Sequence, residues 1–293
     1  MPSPSTKISK MLAHQRALVF KALKKPFLES EIGSTEVESI KYDFDAFRNL
    51  LNTFNELSGQ EYDGVRVYFA SYKKDIKNDS QGTKYIPAGQ NKKMTLIFVA
   101  TTKGADLPDG IHVHNDDLDN CYIIDRDDKI QKLNPGATAS KWIREYQNKK
   151  MPSFEKNGKD ETGNPKFEET KSIWYAKQVF LRNPGSSPQG FLDNLDAIVS
   201  AGNIVDDIEI LLAGYLYGEN GYENKLKLVY EYQLTLVFKV QYESGEADAK
   251  PIKSFLSFTA KDDKRVSSDY NDTGNPCPPP SGNCKTLGSR LPV

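Results

Sequence analysis

The chain has 293 residues, 39 of them basic and 40 acidic, for a net charge of −1, and its mean hydropathy is −0.61. The length allows one large domain or two ordinary ones, and near-neutrality argues against a dedicated nucleic-acid binder. Three cysteines are too few for a disulfide framework, and no stretch approaches the roughly 18 apolar residues of a membrane-spanning helix.

Residues 1–28 carry Lys7, Lys10, Arg16, Lys21, Lys24 and Lys25 and no acid, so the remainder is net acidic. These basic residues interrupt the apolar run a secretory signal needs, which predicts a cytoplasmic protein. Ile8, Met11, Leu12, Leu18, Val19, Leu23 and Phe27 predict an amphipathic helix over 6–28, ended by Pro26. Such a helix docks on its own body or on a second copy. Its six basic residues are also candidates for holding a partner. A second helix is predicted over Asp43–Leu57, where Phe44, Phe47, Leu51 and Phe54 recur at spacings of three and four.

Val65–Tyr72 and Met94–Thr101 read as strands, the second apolar enough to run inside a sheet. The link between them, 73–93, reads as a long polar loop. Residues 104–135 hold the most chemistry. His112 and His114 lie on one face if extended, and Asp116, Asp117, Asp119 and Cys121 follow. Imidazole with carboxylate suits zinc, iron or manganese, so His112, His114, Asp116 and Asp119 are candidate ligands of a divalent transition metal. The plainer reading is a solvated acidic turn over Asn115–Asn120, between short strands.

Helices are expected over Gly136–Lys149, with Thr138 as N-cap, and over Glu169–Arg182. Asn183–Gly190 is the candidate domain boundary. Beyond it, Phe191–Ser200 and Ile204–Tyr217 read as a helical hairpin, with Asn203 capping its second helix.

Lys225–Glu243 carries the strongest pattern in the chain. Its even positions from Leu226 to Tyr242 are all apolar or aromatic, and its odd positions are polar except Val229 and Val237. That alternation predicts a strand with one dry and one wet face. At about 3.3 Å per residue it would reach about 60 Å, so a bend or bulge is expected, near Val237. The pattern also admits a membrane-inserting strand or a self-associating edge. Ser254–Ala260 is its expected partner. From Lys261 onward, the Pro, Gly and Ser content predicts a disordered or surface-pinned tail, with six residues between Cys277 and Cys284.

Gly64–Phe69 (GVRVYF), Leu96–Val99 and Cys277-Pro278-Pro279 resemble a group of uncharacterised bacterial proteins of the Bacteroidota type. The resemblance implies a bacterial cytosolic protein and brings no activity, cofactor or catalytic residue.

The expected fold is therefore α+β. A mixed or antiparallel sheet holds 65–72, 94–101, 254–260 and the long amphipathic strand (about 225–243), covered by helices mainly on one side. Its expected units are a basic helix (1–30), an α+β region (36–185), a hairpin and long-strand region (190–262) and a tail (263–293). The expected function is non-enzymatic binding or assembly, with a protein partner or self-association preferred over a small molecule, no nucleic acid and no membrane contact. The alternative is a metal-dependent hydrolase at His112 and His114.

Overall fold

The computed structural model describes residues 10–33, 35–57, 62–73, 84–106, 112–152, 169–182, 190–214, 234–243, 266–271 and 275–277. The fold is α+β, as expected, but the strands form two antiparallel sheets rather than one. The smaller sheet has the order β1-β7-β8-β9, with β1 at Ser39–Asp43, β7 at Ile204–Gly214, β8 at Leu234–Glu243 and β9 at Val266–Asn271. The larger has the order β10-β6-β2-β3-β4-β5. Its strands are β2 (Tyr62–Ser71), β3 (Met94–Asp106), β4 (His112–Ile124), β5 (Ile130–Lys132), β6 (Ser172–Ala176) and β10 (Asn275–Cys277). No helix among the described residues is long and apolar enough to cross a membrane.

The two sheets share one core. Val65, Val67 and Phe69 of β2 and Leu96 and Phe98 of β3 join Ile208, Ile210 and Leu212 of β7 and Leu234, Leu236, Phe238 and Val240 of β8. Helix α3 (Phe44–Asn55) binds this core together, because Phe47 meets Phe98 at 6.0 Å and Phe238 at 6.0 Å. Asp43 caps that helix by accepting from the Ala46 N–H. On the outer face of the large sheet, Tyr68, Ile97, Val99 and Ile123 pack under Trp142 and Ile143. Those two residues lie on α4 (Ser140–Glu145), which is flanked by wider π turns over Pro135–Ala139 and Tyr146–Lys150. Asn134, not Thr138, caps this helical stretch, accepting from the Gly136 and Ala137 N–H groups.

Several expectations change. The first helix is two: α1 (Lys10–Leu23) and α2 (Lys25–Ile32). Pro26 opens the second instead of ending the first, since the first turn of a helix needs no N–H there. Glu169–Arg182 is not a helix but β6 followed by one turn, α5 (Lys177–Phe180). Ile173 and Tyr175 point into the core and Trp174 points out, which is alternation at period two. The expected hairpin has only its first helix, α6 (Phe191–Ser200); its second half is strand β7. Asn203 closes α6, its Nδ2 donating to the Ile198 carbonyl at 2.9 Å.

The described part of the long strand is β8; 215–233, the expected partner 254–260 and Cys284 lie outside the described residues. The odd face of β8 is dry. Thr235 and Val237 are buried, and Lys239, also buried, bonds Glu209 at 2.8 Å. Val237 meets Ala13 of α1 and Ala213, so the break in alternation marks where α1 lies down. Burial pushes the Glu209 carboxyl up, but hydrogen bonds from Lys239 and Ser39 outweigh it and hold the group below its usual value. The irregular register falls between Val205 and Ile208, opposite Tyr242 and Val240, not at Val237. Instead of a featureless tail, 266–271 and 275–277 add an edge strand to each sheet, β9 beside β8 and β10 beside β6.

Two buried glutamates have matching roles. Glu36 accepts from the N–H of Val37, the N–H of Met94 at the start of β3, and the Lys150 ammonium. Glu169 accepts from the N–H of Thr170, the N–H of Leu234 at the start of β8, and the Lys24 ammonium. Each carboxylate thereby supplies the acceptor for an N–H at the first residue of a strand.

Candidate functional site

The predicted acidic turn is part of β4, a continuous strand with an irregularity between Asp116 and Cys121. Strand β3 runs to Asp106 and supplies the ladder that holds it. His114, Asp116, Asp117 and Asn120 of β4 find partners on β2, so these side chains pair instead of hydrating. Arg66, Tyr68, Thr101, His114, Asp116 and Trp174 converge on the outer face of the large sheet, beside the apolar patch under α4.

The centre is an ion pair. Asp116 bonds the Arg66 guanidinium through one oxygen and the Tyr68 hydroxyl through the other. Both charged side chains are nearly inaccessible, Arg66 at 0% and Asp116 at 3%. Burial would lower the guanidinium pKa, but Asp116 and Tyr68 hold it above its ordinary value. Arg66 also donates to the His114 carbonyl at 3.0 Å.

Next to it lies a closed ring of contacts. His114 Nδ1 meets Asp63 Oδ2 at 2.7 Å. Thr101 Oγ1 donates to Asp63 Oδ1, and Trp174 Nε1 donates to Thr101 Oγ1 at 2.9 Å. The indole stacks on the imidazole, ring centroids 3.7 Å apart. Gly64 lets the strands close here, since a Cβ on it would run into the Tyr175 carbonyl and the Trp174 ring. Together these contacts fix the imidazole through its Nδ1 and its ring face. Among the described residues no serine, threonine or cysteine bonds Nε2, so the Asp63–His114 pair has no nucleophile attached. Cys121 is buried, and burial and the nearby Asp116 push its thiol up, away from the reactive thiolate.

The candidate metal ligands therefore part company. His114 and Asp116 share the patch, but Asp63 holds the first and Arg66 with Tyr68 holds the second. Asp119 is exposed, and its N–H donates to Asp117. The His112 backbone pairs with Asp106, while its side chain lies outside the described residues. No group of three or more potential metal ligands occurs among the described residues. A guanidinium on Asp116 is also poor company for a cation.

Among the described basic residues of the predicted first helix, Arg16 and Lys24 turn inward. Arg16 is buried, and Lys24 is taken by Glu169. Lys25 bonds Glu38, with Glu29 at 3.7 Å, and Lys21 reaches Glu38 at 3.3 Å. Lys7 and the Lys10 side chain lie outside the described residues. Among the described side chains of this set, only Lys21 is well exposed.

Asp63, Thr101 and Trp174 carried no motif that sequence reading would isolate. Arg66 did carry a signal, being a charge between Val65 and Val67 in an apolar strand. Such a residue is either at an edge or paired, and here it is paired. No protein-family model, curated protein or solved structure matches the chain.

Proposed function

We propose that the chain is a non-enzymatic binding and assembly protein, in a bacterial cytoplasm, that pairs with a second copy of itself through the outer face of α1. The observation that carries this is the placement of exposed apolar side chains. Three of the five large hydrophobic residues left exposed among the described residues lie on this one helix: Met11 (70%), Leu18 (45%) and Leu23 (48%). The helix buries Ala13, Arg16, Val19 and Phe20 against its own body, so Met11, Leu18 and Leu23 are not what docks it.

Met11, Gln15, Leu18 and Ala22 fall at i, i+4, i+7 and i+11, the spacing of a coiled-coil seam. The seam is self-complementary when two copies run antiparallel. Met11 then faces the partner's Ala22, large against small, and Leu18 faces the partner's Gln15. The same arrangement sets Lys21 near the partner's Leu12, keeping the two lysines apart. An acid-free helix face offers no acidic group to recruit a basic partner, and a second copy needs none.

Light scattering on the intact chain tests this. The wild type is expected to show dimer mass at tens of micromolar, and the Met11→Glu/Leu18→Glu variant monomer mass with unchanged circular dichroism. A wild type that stays monomeric at several hundred micromolar overturns the reading.

A metal-dependent hydrolase is the second reading, favoured by His114 and Asp116 sharing one side of β4. Elemental mass spectrometry of untagged protein is expected to find no stoichiometric zinc, iron or manganese, because both side chains are already engaged. About one metal per chain, lost in a His112→Ala/His114→Ala variant, would put the hydrolase first.

A further inference from the structure

Strand β1 ends the smaller sheet, with β7 on one side of it and no strand on the other among the described residues. An edge strand turns the N–H and carbonyl of every second residue away from its neighbour, and the hydrogen-bond pattern tells which residues these are. Ser39 lies opposite Leu211, so Glu38 lies opposite Leu212, and the Leu212 N–H donates to the Glu38 carbonyl at 3.0 Å. Glu38 is thus a hydrogen-bonded position. Ile40 and Tyr42 follow it at period two, and their backbone groups face β7. Ser39, Lys41 and Asp43 turn theirs outward. Asp43 confirms the phase, since its N–H leaves the sheet and donates to Asp128 at 3.4 Å.

Asp128 closes the edge at the Asp43 end. Ser39, Ile40 and Lys41 border the open cleft that separates β1 from Ile124 and Asp128. The side chains here alternate. Ile40 packs on the core yet is only partly buried, as is Val37. Lys41 lies on the other face, 53% exposed, and leans on Asp207 at 3.2 Å.

We propose that β1 is a docking edge for an extended peptide segment of another protein, which adds a strand to the smaller sheet. N–H and carbonyl pairs at Ser39 and Lys41, two residues apart, are the complement of an extended backbone. An antiparallel segment sets the residue opposite Ile40 on the core side, where an apolar side chain completes the burial of Ile40. The residue opposite Lys41 lies on the wet face, where an acid gives the ammonium a second carboxylate. The fitting sequence is apolar, acidic, apolar, polar, set against Tyr42, Lys41, Ile40 and Ser39 in turn. This edge lies apart from the α1 seam, so its partner does not depend on self-pairing.

The probe is the peptide acetyl-Val-Glu-Val-Thr-amide, titrated into the full chain and followed by nitrogen-15 correlation NMR. The Ser39 and Lys41 amide signals are expected to move. N-methylation of the peptide's Glu or Thr blocks a bond to Lys41 or Ser39, so binding should weaken about fivefold, the worth of one hydrogen bond. N-methylation of the second Val, whose N–H points away from β1, should leave the affinity unchanged. Lys41→Pro removes an outward donor and spares the ladder to β7, so the fold should survive and the peptide bind about fivefold more weakly. No movement with the unmethylated peptide at millimolar concentration overturns the proposal. So does equal weakening by N-methylation at Glu and at the second Val. Light scattering tests the other occupant. If Met11→Glu/Leu18→Glu still shows dimer mass, and adding Lys41→Pro abolishes it, the edge serves a second copy and the peptide partner is wrong.

Discussion

Replacing Glu169 by alanine is expected to lower stability by about 3–5 kcal/mol, a large share of the 5–15 kcal/mol that holds an ordinary domain together. The carboxylate is 0% exposed and serves three donors: Lys24 and the N–H groups of Thr170 and Leu234. Its removal takes the ion-pair carboxylate from an ammonium that is itself only 6% exposed. It also leaves the first N–H of β8 without an acceptor. Urea unfolding followed by far-ultraviolet circular dichroism measures the loss. The comparison that isolates the charge is Lys24→Met/Glu169→Gln. The glutamine oxygen still accepts from both backbone groups and the methionine fills the lysine's path, so most of the stability should return. If Glu169→Ala unfolds within 1 kcal/mol of the wild type, the clamp is not structural.

Asp116→Ala should cost about as much, roughly 3–5 kcal/mol, because the buried Arg66 guanidinium would lose the Asp116 carboxylate. Tyr68 would lose its acceptor as well. Arg66→Leu/Asp116→Leu should recover most of that stability, since an apolar pair of similar volume needs no desolvation of charge. Urea midpoints of the two variants decide the matter. A double variant as unstable as the single would mean that the guanidinium's bond to the His114 carbonyl, at 3.0 Å, matters more than the ion pair. A second observable comes from Trp174. Its stack on His114 is held by strand β4, so loosening the Asp116 end should change the indole fluorescence before global unfolding.

Elements with a strong single period were readable without coordinates. The Phe44–Phe54 stripe, the Val65 and Met94 strands and the even face of β8 all follow from local alternation. The errors came where two periods overlap. In Ile204–Gly214, Ile208, Leu211 and Leu212 satisfy a helical spacing while Ile208, Ile210 and Leu212 satisfy a strand. The choice was made by β1 and β8 on either side, which pair with β7 along most of its length. Distant pairing also made a strand of Ser172–Ala176, between β2 and β10. The site was half legible. His114 and Asp116 were flagged for their type, but their meaning depends on Asp63, Arg66 and Tyr68, some fifty residues away. The apolar face of α1 was misphased, since Met11, Leu18 and Leu23, read as dry, are exposed while Arg16, read as wet, is buried.

The Lys24–Glu169–Leu234 clamp has a temporal side. A ribosome adds about 5–20 residues per second, so roughly 210 residues separate the birth of Lys24 from that of Leu234 by some 10–40 s. Through that interval Ala13 lacks its seat, because Val237 and Ala213 arrive late. Strand β1 waits likewise for β7. Helix α1 and strand β1 of the nascent chain therefore wait without their later-made neighbours, beside a lysine awaiting its acid. Growing polypeptides of this kind depend on chaperone shelter until the distant halves meet.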